Sequence, residues 1–174
     1  MRPKTKVDGL GKAFLKKGVG RKVSHELKVV SSHKLDEMVH VSAAVFVNLQ
    51  GEVLLAQRPE DKAMAGLWEF PGGKIEAGET PEKALVRELN EELAVQVSPE
   101  YITPLTFVSC AKSIPGKHLL MYLFKVTKWK GVIEGLEGQR IAWVPAVNLV
   151  DYIDIMPQAD VPLANFLVKN PTCL

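Results

Sequence analysis

The sequence predicts one α+β domain that follows a basic N-terminal segment. A chain of 174 residues, 47% of them hydrophobic, is long enough to close one core and short for two domains. Strand-like patterns lie on both sides of one strongly amphipathic helix, and a second helical pattern lies near the end of the chain. Strands, a helix, more strands and a closing helix are typical of an α+β domain with helices layered on a sheet.

The N-terminal segment, residues 1–37, differs from the rest of the chain in charge. It carries ten Lys or Arg and four Asp or Glu, whereas residues 38–174 carry twelve and sixteen. Because the segment has four glycines and no sustained apolar period, we expect much of it to be mobile. The favoured interpretations are that this segment is an appended flexible arm, or that the given sequence begins at a start codon upstream of the true start at Met38. A nucleic-acid-binding arm and a targeting peptide are the sharper alternatives.

Two further properties limit the class of protein. No window approaches the roughly 18 to 20 uninterrupted apolar residues that a membrane span needs. The two cysteines, Cys110 and Cys173, show neither metal-ligand spacing nor a disulfide framework. We therefore expect a soluble cytoplasmic protein with no membrane partner.

The strands are predicted from alternation of apolar residues. Residues 39–47 alternate as a β-branched strand, and residues 52–58 return after a turn at Gly51, which predicts a hairpin. Further predicted elements are strands at 105–111 and 118–128 around a turn at 114–117, a short strand at 141–144, and a helix at 162–169 with Pro162 in its first turn.

The amphipathic helix follows a loop of residues 67–80, with Thr80 as its N-cap and Pro81 as its first residue. At 100° per residue, the apolar stripe of this helix consists of Leu85, Leu89 and Leu93, and a neighbouring face holds Glu88, Glu91 and Glu92. Each pair of like charges at this spacing costs roughly 0.2 to 0.5 kcal/mol. Taken alone, such a cluster is more often a solvated charged face.

The loop before the helix favours a metal site instead. Gly72 and Gly73 let the main chain approach a ligand closely, so that backbone carbonyls can join the carboxylates around one cation. Oxygen ligands of this kind suit Mg²⁺, for which Mn²⁺ can substitute.

Taken together, these residues form a more specific pattern. Gly73, five residues, Glu79, seven residues and then Arg87-Glu88-Leu89-Asn90-Glu91-Glu92 resembles the signature of the Nudix hydrolases. The signature ends in a glycine where this sequence has Ala94. A left-handed helix cap at Ala94 would cost about 1 to 2 kcal/mol more than at glycine.

The resemblance implies a Nudix-like α/β/α sandwich with a mixed central β-sheet, spanning residues 38–174. Residues 69–76 and 78–82 look closest to the MutT branch of the family. Membership of that branch implies a Mg²⁺-dependent hydrolase that converts 8-oxo-dGTP to 8-oxo-dGMP and pyrophosphate. This reaction cleans the nucleotide pool and prevents mutation.

The resemblance also implies roles for individual residues. The metal would be held by the Gly72 carbonyl and by Glu88, Glu91, Glu92 and Glu137. Glu88 is the favoured base for the attacking water, with Glu91, Glu92 and Glu137 as open alternatives, and Glu79 with Arg87 forms a supporting pair.

Substrate contacts are implied at other positions. Arg58 matches a phosphate contact of MutT-type proteins, and Lys117 is a separate candidate for a second positive contact. Glu69, Phe70 and Pro71 belong to the motif segment, and Phe70 is a candidate wall of the base pocket. Where MutT-type proteins place an Asn against the purine, this sequence has Asp160. An ionised Asp only accepts hydrogen bonds, whereas a protonated Asp in a dry pocket also donates one.

Three functions stay open on the sequence alone. The first is 8-oxo-dGTP pyrophosphohydrolase, and the second is a Nudix hydrolase for CTP, a dinucleotide or a nucleotide sugar. The third is a non-catalytic reader of oxidised bases, against which the three clustered glutamates argue. We expect a nucleotide substrate and no stable nucleic-acid partner, and the sequence carries no signal for oligomeric state.

Overall fold

The computed structural model describes residues 6–7, 13–14 and 37–174, without the side chains of residues 6–7, 13–14 and 112–113. The chain divides into two compact units, residues 1–35 and 36–174. In the first unit, strands β1 (Lys6–Val7) and β2 (Ala13–Phe14) pair antiparallel. The predicted mobility of the N-terminal segment otherwise concerns residues that lie outside the described ones.

The second unit contains seven strands and two α-helices among its described residues. In chain order they are β3 (Glu37–Phe46), β4 (Glu52–Gln57), β5 (Trp68–Glu69), β6 (Gly72–Lys74), α1 (Pro81–Leu93), β7 (Ile102–Ile114), β8 (Lys117–Val126), β9 (Arg140–Pro145) and α2 (Asp160–Lys169). Three 3-10 helices accompany them, at Pro99–Tyr101, Ala146–Ile155 and Pro171–Cys173. No helix in these ranges has the length and apolar character needed to cross a membrane.

The strands form two sheets. A mixed four-stranded sheet has the order β6-β3-β8-β7, in which β3 and β8 run parallel and the other neighbours antiparallel. An antiparallel three-stranded sheet has the order β5-β4-β9. The predicted strand pair around the turn at Gly116 is the β7–β8 pair of the first sheet, and Gly116 has a positive φ of 70°.

The prediction that β3 and β4 form a hairpin is wrong, because only one residue pair next to the turn is formed. Val47 and Val53 form a single antiparallel bridge, and the Asn48 side chain accepts hydrogen bonds from the backbone N–H groups of Gln50 and Glu52 to close the turn. The strands then separate into different sheets. Both edges of β3 are already paired, with β6 and β8, so β4 pairs with β5 and β9 instead.

The mixed sheet lies between the two helices, which confirms the predicted α+β layers. Ala44 and Phe46 of β3 face α1, in a core that includes Leu85, Leu89 and Leu93 of that helix. The alternate residues Ala43 and Val45 belong to the core that contains Leu163, Ala164 and Leu167 of α2. The two-residue repeat of a strand thus supplies both cores from one segment.

Both ends of α1 are as predicted. The Thr80 hydroxyl accepts a hydrogen bond from the Lys83 N–H at 3.3 Å, and Pro81 occupies the first turn. Ala94 has φ 59° and ψ 21°, the left-handed cap expected where the family signature has glycine. Helix α2 begins at Asp160, two residues before the predicted start, and this difference brings Asp160 into the helix.

Candidate active site

A cavity of about 420 Å³ opens beside β3, β6 and the start of α2. It brings together nine of the residues that the sequence singles out: Arg58, Glu69, Phe70, Gly72, Gly73, Glu88, Glu92, Glu137 and Asp160. Five others do not line it: Pro71, Glu79, Arg87, Glu91 and Lys117. Most of the predicted site residues, which are spread over a hundred positions of the chain, therefore surround one space.

The two glycines of β6 make room for close contacts at the floor of this cavity. A Cβ atom on Gly73 would lie 2.3 Å from the Glu88 carboxyl carbon and 2.4 and 2.5 Å from its oxygens. A Cβ atom on Gly72, whose φ is 144°, would lie 2.1 Å from the Ser42 carbonyl oxygen. The Glu88 carboxylate can therefore rest directly against the backbone of β6 only because residue 73 has no side chain.

The Arg87 guanidinium organises the outer side of the cavity. It donates to both Glu79 oxygens at 2.9 Å, to the Lys74 carbonyl at 3.0 Å and to Glu88 at 2.9 Å. Hydrogen bonds from Arg87 hold the pKa of Glu79 down at about 2. The same guanidinium reaches Glu91 at 3.3 Å, and the Glu91 side chain is 55% exposed and turned away from the cavity lining. The single positive charge of Arg87 thus holds Lys74 of β6, the loop residue Glu79 and the helix residue Glu88 in place.

The Glu92 carboxyl lies in the most acidic part of the site. Burial, together with the nearby carboxylates Glu88, Glu69 and Glu137, raises the pKa of Glu92 to about 8, although the Gly72 N–H donates a hydrogen bond to it. Among the Lys and Arg side chains that the structure describes, which leave out Lys112, none forms an ion pair with Glu92 within 4.0 Å. Like charges that repel one another in a cavity favour the binding of a cation.

The donor chemistry of this cluster fits a hard divalent cation, because every side chain in it offers carboxylate oxygens. Within the described part of the chain, no three acidic, His or Cys side chains already lie close enough to form a metal-binding group. The acidic side chains line the cavity, but they are not close enough to one another to act as one set of metal ligands. The assignment of Glu88, Glu91, Glu92, Glu137 and the Gly72 carbonyl as ligands therefore stays a prediction.

The loop of residues 131–139, which carries Glu137, is seated on the C-terminal end of α1. The Glu134 N–H donates to the Leu93 carbonyl at 3.2 Å, and the Leu136 N–H donates to the Glu92 carbonyl at 2.9 Å. The Gln139 side-chain amide donates to the same Glu92 carbonyl at 3.0 Å. These bonds satisfy carbonyls that the helix leaves unpaired at its end. They also place Glu137 beside Glu92. The sequence gives no local signal that Gln139 helps to position this loop.

Arg58 and Glu69 form a two-oxygen ion pair at the cavity wall. Arg58 Nη1 lies 2.7 Å from each Glu69 oxygen, and Arg58 Nε donates to the Ala63 carbonyl at 2.6 Å. Burial raises the pKa of Glu69, and Arg58 opposes that rise. Lys117, the other predicted phosphate contact, instead forms an ion pair with Glu37 at 3.0 Å. The phosphate roles of both residues stay predictions.

Asp160 is buried in the cavity lining, near Arg58 and Glu69, with 1% of its surface exposed. One carboxyl oxygen accepts the Phe70 N–H at 3.0 Å, and the other, Oδ2, is buried without a hydrogen-bond partner. Burial raises the pKa of Asp160 to about 8, a rise that the Phe70 N–H bond partly opposes. Near neutral pH the carboxyl is therefore mostly protonated, so Oδ2 can present an O–H donor to the cavity.

Asp160→Asn should become more stable than the wild type as pH rises. The folded-state pKa of about 8 lies above the ordinary value of 3.8, so between these values the unfolded chain ionises at Asp160 while the folded wild type stays protonated, and the wild type loses stability as pH rises. The Asn variant has no carboxyl group at this position to ionise, so it does not lose stability in this way. The difference in unfolding free energy should grow by up to about 1.4 kcal/mol per pH unit and level off above the folded-state pKa.

Thermal or urea unfolding between about pH 5 and about pH 9 measures this difference. The exposed Asp151→Asn serves as the control and should track the wild type at every pH. A stability difference for Asp160→Asn that does not change with pH would mean that Asp160 titrates alike in the folded and unfolded chains.

Comparison with known proteins finds one matching family and several relatives that extend over most of the chain. Residues 38–165 match the family model of the NUDIX domain. Over 125 residues, the chain is 36% identical to an 8-oxo-dGTP diphosphatase of Escherichia coli K12, covering 72% of this chain and 92% of that protein. It is 35% identical over 128 residues to the CTP pyrophosphohydrolase of the same organism, covering 73% and 89%.

Solved structures agree with these relatives. A structure from work on MutT of Aliivibrio salmonicida and Vibrio cholerae superposes with a TM-score of 0.64 at 32% identity. The superposition covers 77% of this chain and 99% of that one.

Proposed function

Because the chain belongs to the Nudix family, we propose that it is a MutT-type pyrophosphohydrolase that converts 8-oxo-dGTP and water to 8-oxo-dGMP and pyrophosphate. The observation that carries this proposal is the cavity itself, whose lining combines the carboxylates of Glu88, Glu92 and Glu137 with the buried Asp160. A volume of about 420 Å³ is in the ordinary range for a small-molecule site. The identity to an E. coli 8-oxo-dGTP diphosphatase over most of the domain supports the choice of substrate.

Nudix hydrolases generally depend on a divalent metal, and we propose Mg²⁺, with Mn²⁺ as a substitute. In this proposal Glu88, Glu92 and Glu137 hold the metal within the cavity, and Glu91 joins them from its outer edge. Bound there, the metal would neutralise charge on the phosphate chain and lower the pKa of the attacking water. The raised pKa of Glu92 supports this assignment, since the same repulsion that raises it is relieved by a nearby cation.

Glu88 is our choice for the residue that accepts the proton of the attacking water. Its carboxylate rests on Gly73 at the cavity floor, and Arg87 fixes one of its oxygens at 2.9 Å. A base held in one position lowers the barrier more than one that must be oriented during the reaction. Arg87 and Glu79 are then positioning residues, since neither lines the cavity.

Asp160 and Phe70 would form the base subsite. Phe70 is 3% exposed and holds Asp160 through its backbone N–H. A protonated carboxyl accepts from an N–H or amine of the base and donates to a carbonyl or ring nitrogen. Both patterns occur on an oxidised guanine. Cytosine also offers an amine and a carbonyl, so hydrolysis of CTP is the second candidate, favoured by the identity to a CTP pyrophosphohydrolase.

A panel assay tests the proposal. The protein is incubated with Mg²⁺ and with 8-oxo-dGTP, dGTP, CTP, a dinucleotide or a nucleotide sugar, and the products are identified by chromatography. We expect pyrophosphate and 8-oxo-dGMP, with a kcat/KM for 8-oxo-dGTP at least about tenfold above that for dGTP, the ratio that one well-placed hydrogen bond supplies.

Equal rates for 8-oxo-dGTP and dGTP would contradict the proposed selectivity, and faster hydrolysis of CTP would favour the second candidate. Binding without turnover of any substrate would favour the non-catalytic reader. The nucleotide precursor pool lies in the cytoplasm, so a cytoplasmic location is part of the proposal.

A further inference from the structure

The loop between β4 and β5, residues 58–67, brings a lysine to the lining of the cavity. Lys62 Nζ lies 3.3 Å from Glu137 Oε2, and both residues line the cavity. The two side chains are 48% and 42% exposed. Lys62 and Glu137, which are 75 positions apart in the sequence, thus connect two loops that contribute to the cavity lining.

The backbone of this loop is held at several points. The Arg58 N–H donates to the Leu67 carbonyl at 2.9 Å, and the Gly66 N–H donates back to the Arg58 carbonyl at 3.0 Å. The Arg58 side chain fixes the Ala63 carbonyl at 2.6 Å, and the Lys62 N–H donates to the Pro59 carbonyl at 3.2 Å. The loop therefore presents Lys62 from a fixed base, and the long side chain itself is free to change partners.

The ion pairs of the cavity acids differ in strength. Glu69 is held by two short contacts to Arg58, and Glu88 by an Arg87 that is itself fixed by Glu79 and Lys74. The side chains in those pairs are 16 to 26% exposed. The Lys62–Glu137 pair has one contact of 3.3 Å between half-exposed side chains, and such pairs contribute least. Among these pairs it is therefore the one that a divalent cation competing for the acidic side chain would separate most easily.

We propose that Lys62 is a substrate-binding residue for the phosphate chain of the nucleotide. Without metal, Lys62 is paired with Glu137, and a divalent cation that binds Glu137 would replace Lys62 there and release it. The released ammonium would then lie in the cavity lining beside the acidic cluster, where the other cationic side chains are Arg58, which is paired with Glu69, and Lys74. An ammonium there lowers the cost of bringing a triphosphate to these carboxylates. This inference rests on the proposed function, because it takes a nucleoside triphosphate as the ligand.

The first test measures nucleotide binding directly. Calorimetry with Mg²⁺ and a non-hydrolysable nucleoside triphosphate compares the wild type with Lys62→Met, Lys62→Arg and Lys83→Met. Lys83 is an exposed lysine on α1 outside the cavity lining, so its variant makes the same charge change elsewhere. We expect Lys62→Met to weaken binding about five- to tenfold, Lys62→Arg to restore most of the loss, and Lys83→Met to match the wild type.

The second test measures the metal without any nucleotide. If Lys62 competes with a cation for Glu137, then Lys62→Met should bind Mn²⁺ about two- to fivefold more tightly than the wild type and than Lys83→Met. Lys62→Met is thus expected to raise the affinity for Mn²⁺ and to lower the affinity for the nucleotide. A lysine that merely supports the loop would not produce opposite effects, and thermal unfolding checks that all four proteins are folded.

Each outcome decides the proposal. Unchanged nucleotide affinity in Lys62→Met, or a loss shared by Lys83→Met, would overturn the phosphate contact, and unchanged Mn²⁺ affinity would overturn the competition between Lys62 and the cation for Glu137. Failure of the proposed function is a separate result. In that case the wild type neither binds nor hydrolyses a nucleoside triphosphate, whereas the Mn²⁺ comparison still reports on Lys62 and Glu137.

Discussion

Replacing Glu88 with Gln is expected to lower kcat for 8-oxo-dGTP by about 10²- to 10⁴-fold, the range associated with loss of a positioned base. The Gln side chain keeps nearly the same size, so it can occupy the same space against Gly73, but it cannot accept the proton of the attacking water. Steady-state kinetics in Mg²⁺ measures kcat and KM, and thermal unfolding shows whether the variant is folded.

Glu82→Gln is the matched control, because Glu82 lies on the same helix and does not line the cavity. Its kcat should stay within about twofold of the wild type, as expected for a surface change. If Glu88→Gln kept wild-type kcat while Glu92→Gln or Glu137→Gln lost it, the base would have to be reassigned to one of those two residues.

Gly73→Ala is expected to reduce kcat about 10²-fold without adding or removing any charged group. The new Cβ atom would lie 2.3 Å from the Glu88 carboxyl carbon, so either the carboxylate or strand β6 must move. A displacement of about 1 Å at a reacting group is enough for a loss of this size. The measurement is kcat for 8-oxo-dGTP, together with the melting temperature.

Gly116→Ala separates the effect on the site from the general cost of losing a glycine. Gly116 has a φ of 70° at the β7–β8 turn, and its Cβ atom would meet nothing within 4 Å. This variant should lose about 1 kcal/mol of stability through backbone strain and keep its kcat. Wild-type kcat in Gly73→Ala would show that Glu88 tolerates displacement and would weaken its assignment as the base.

Features that depend on neighbours in sequence could be predicted well. The start of α1 follows from Thr80 and Pro81, and its buried stripe follows from the spacing of Leu85, Leu89 and Leu93. The grouping of Glu88 and Glu92 on one side of the helix needs only the helical repeat. These are local regularities, so one stretch of sequence contains all the information required.

Features that depend on strand pairing or on distant loops could not be predicted. The β3–β4 hairpin fails because β6 and β8 take both edges of β3, which no alternation of residues reveals. The burial of Asp160 depends on its contact with Phe70, ninety positions away. The partner of Lys62 lies on another loop for the same reason. Family resemblance supplied the identity of many site residues, but their ion pairs required the tertiary structure.

The seating of loop 131–139 on the end of α1 has a consequence for the entropy of binding. Bonds from Glu134, Leu136 and Gln139 to the last carbonyls of the helix fix the loop as the domain folds. The chain therefore gives up the conformational freedom around Glu137 during folding, before any ligand arrives. A nucleotide that binds later need not order this loop, so more of its interaction energy is retained as affinity.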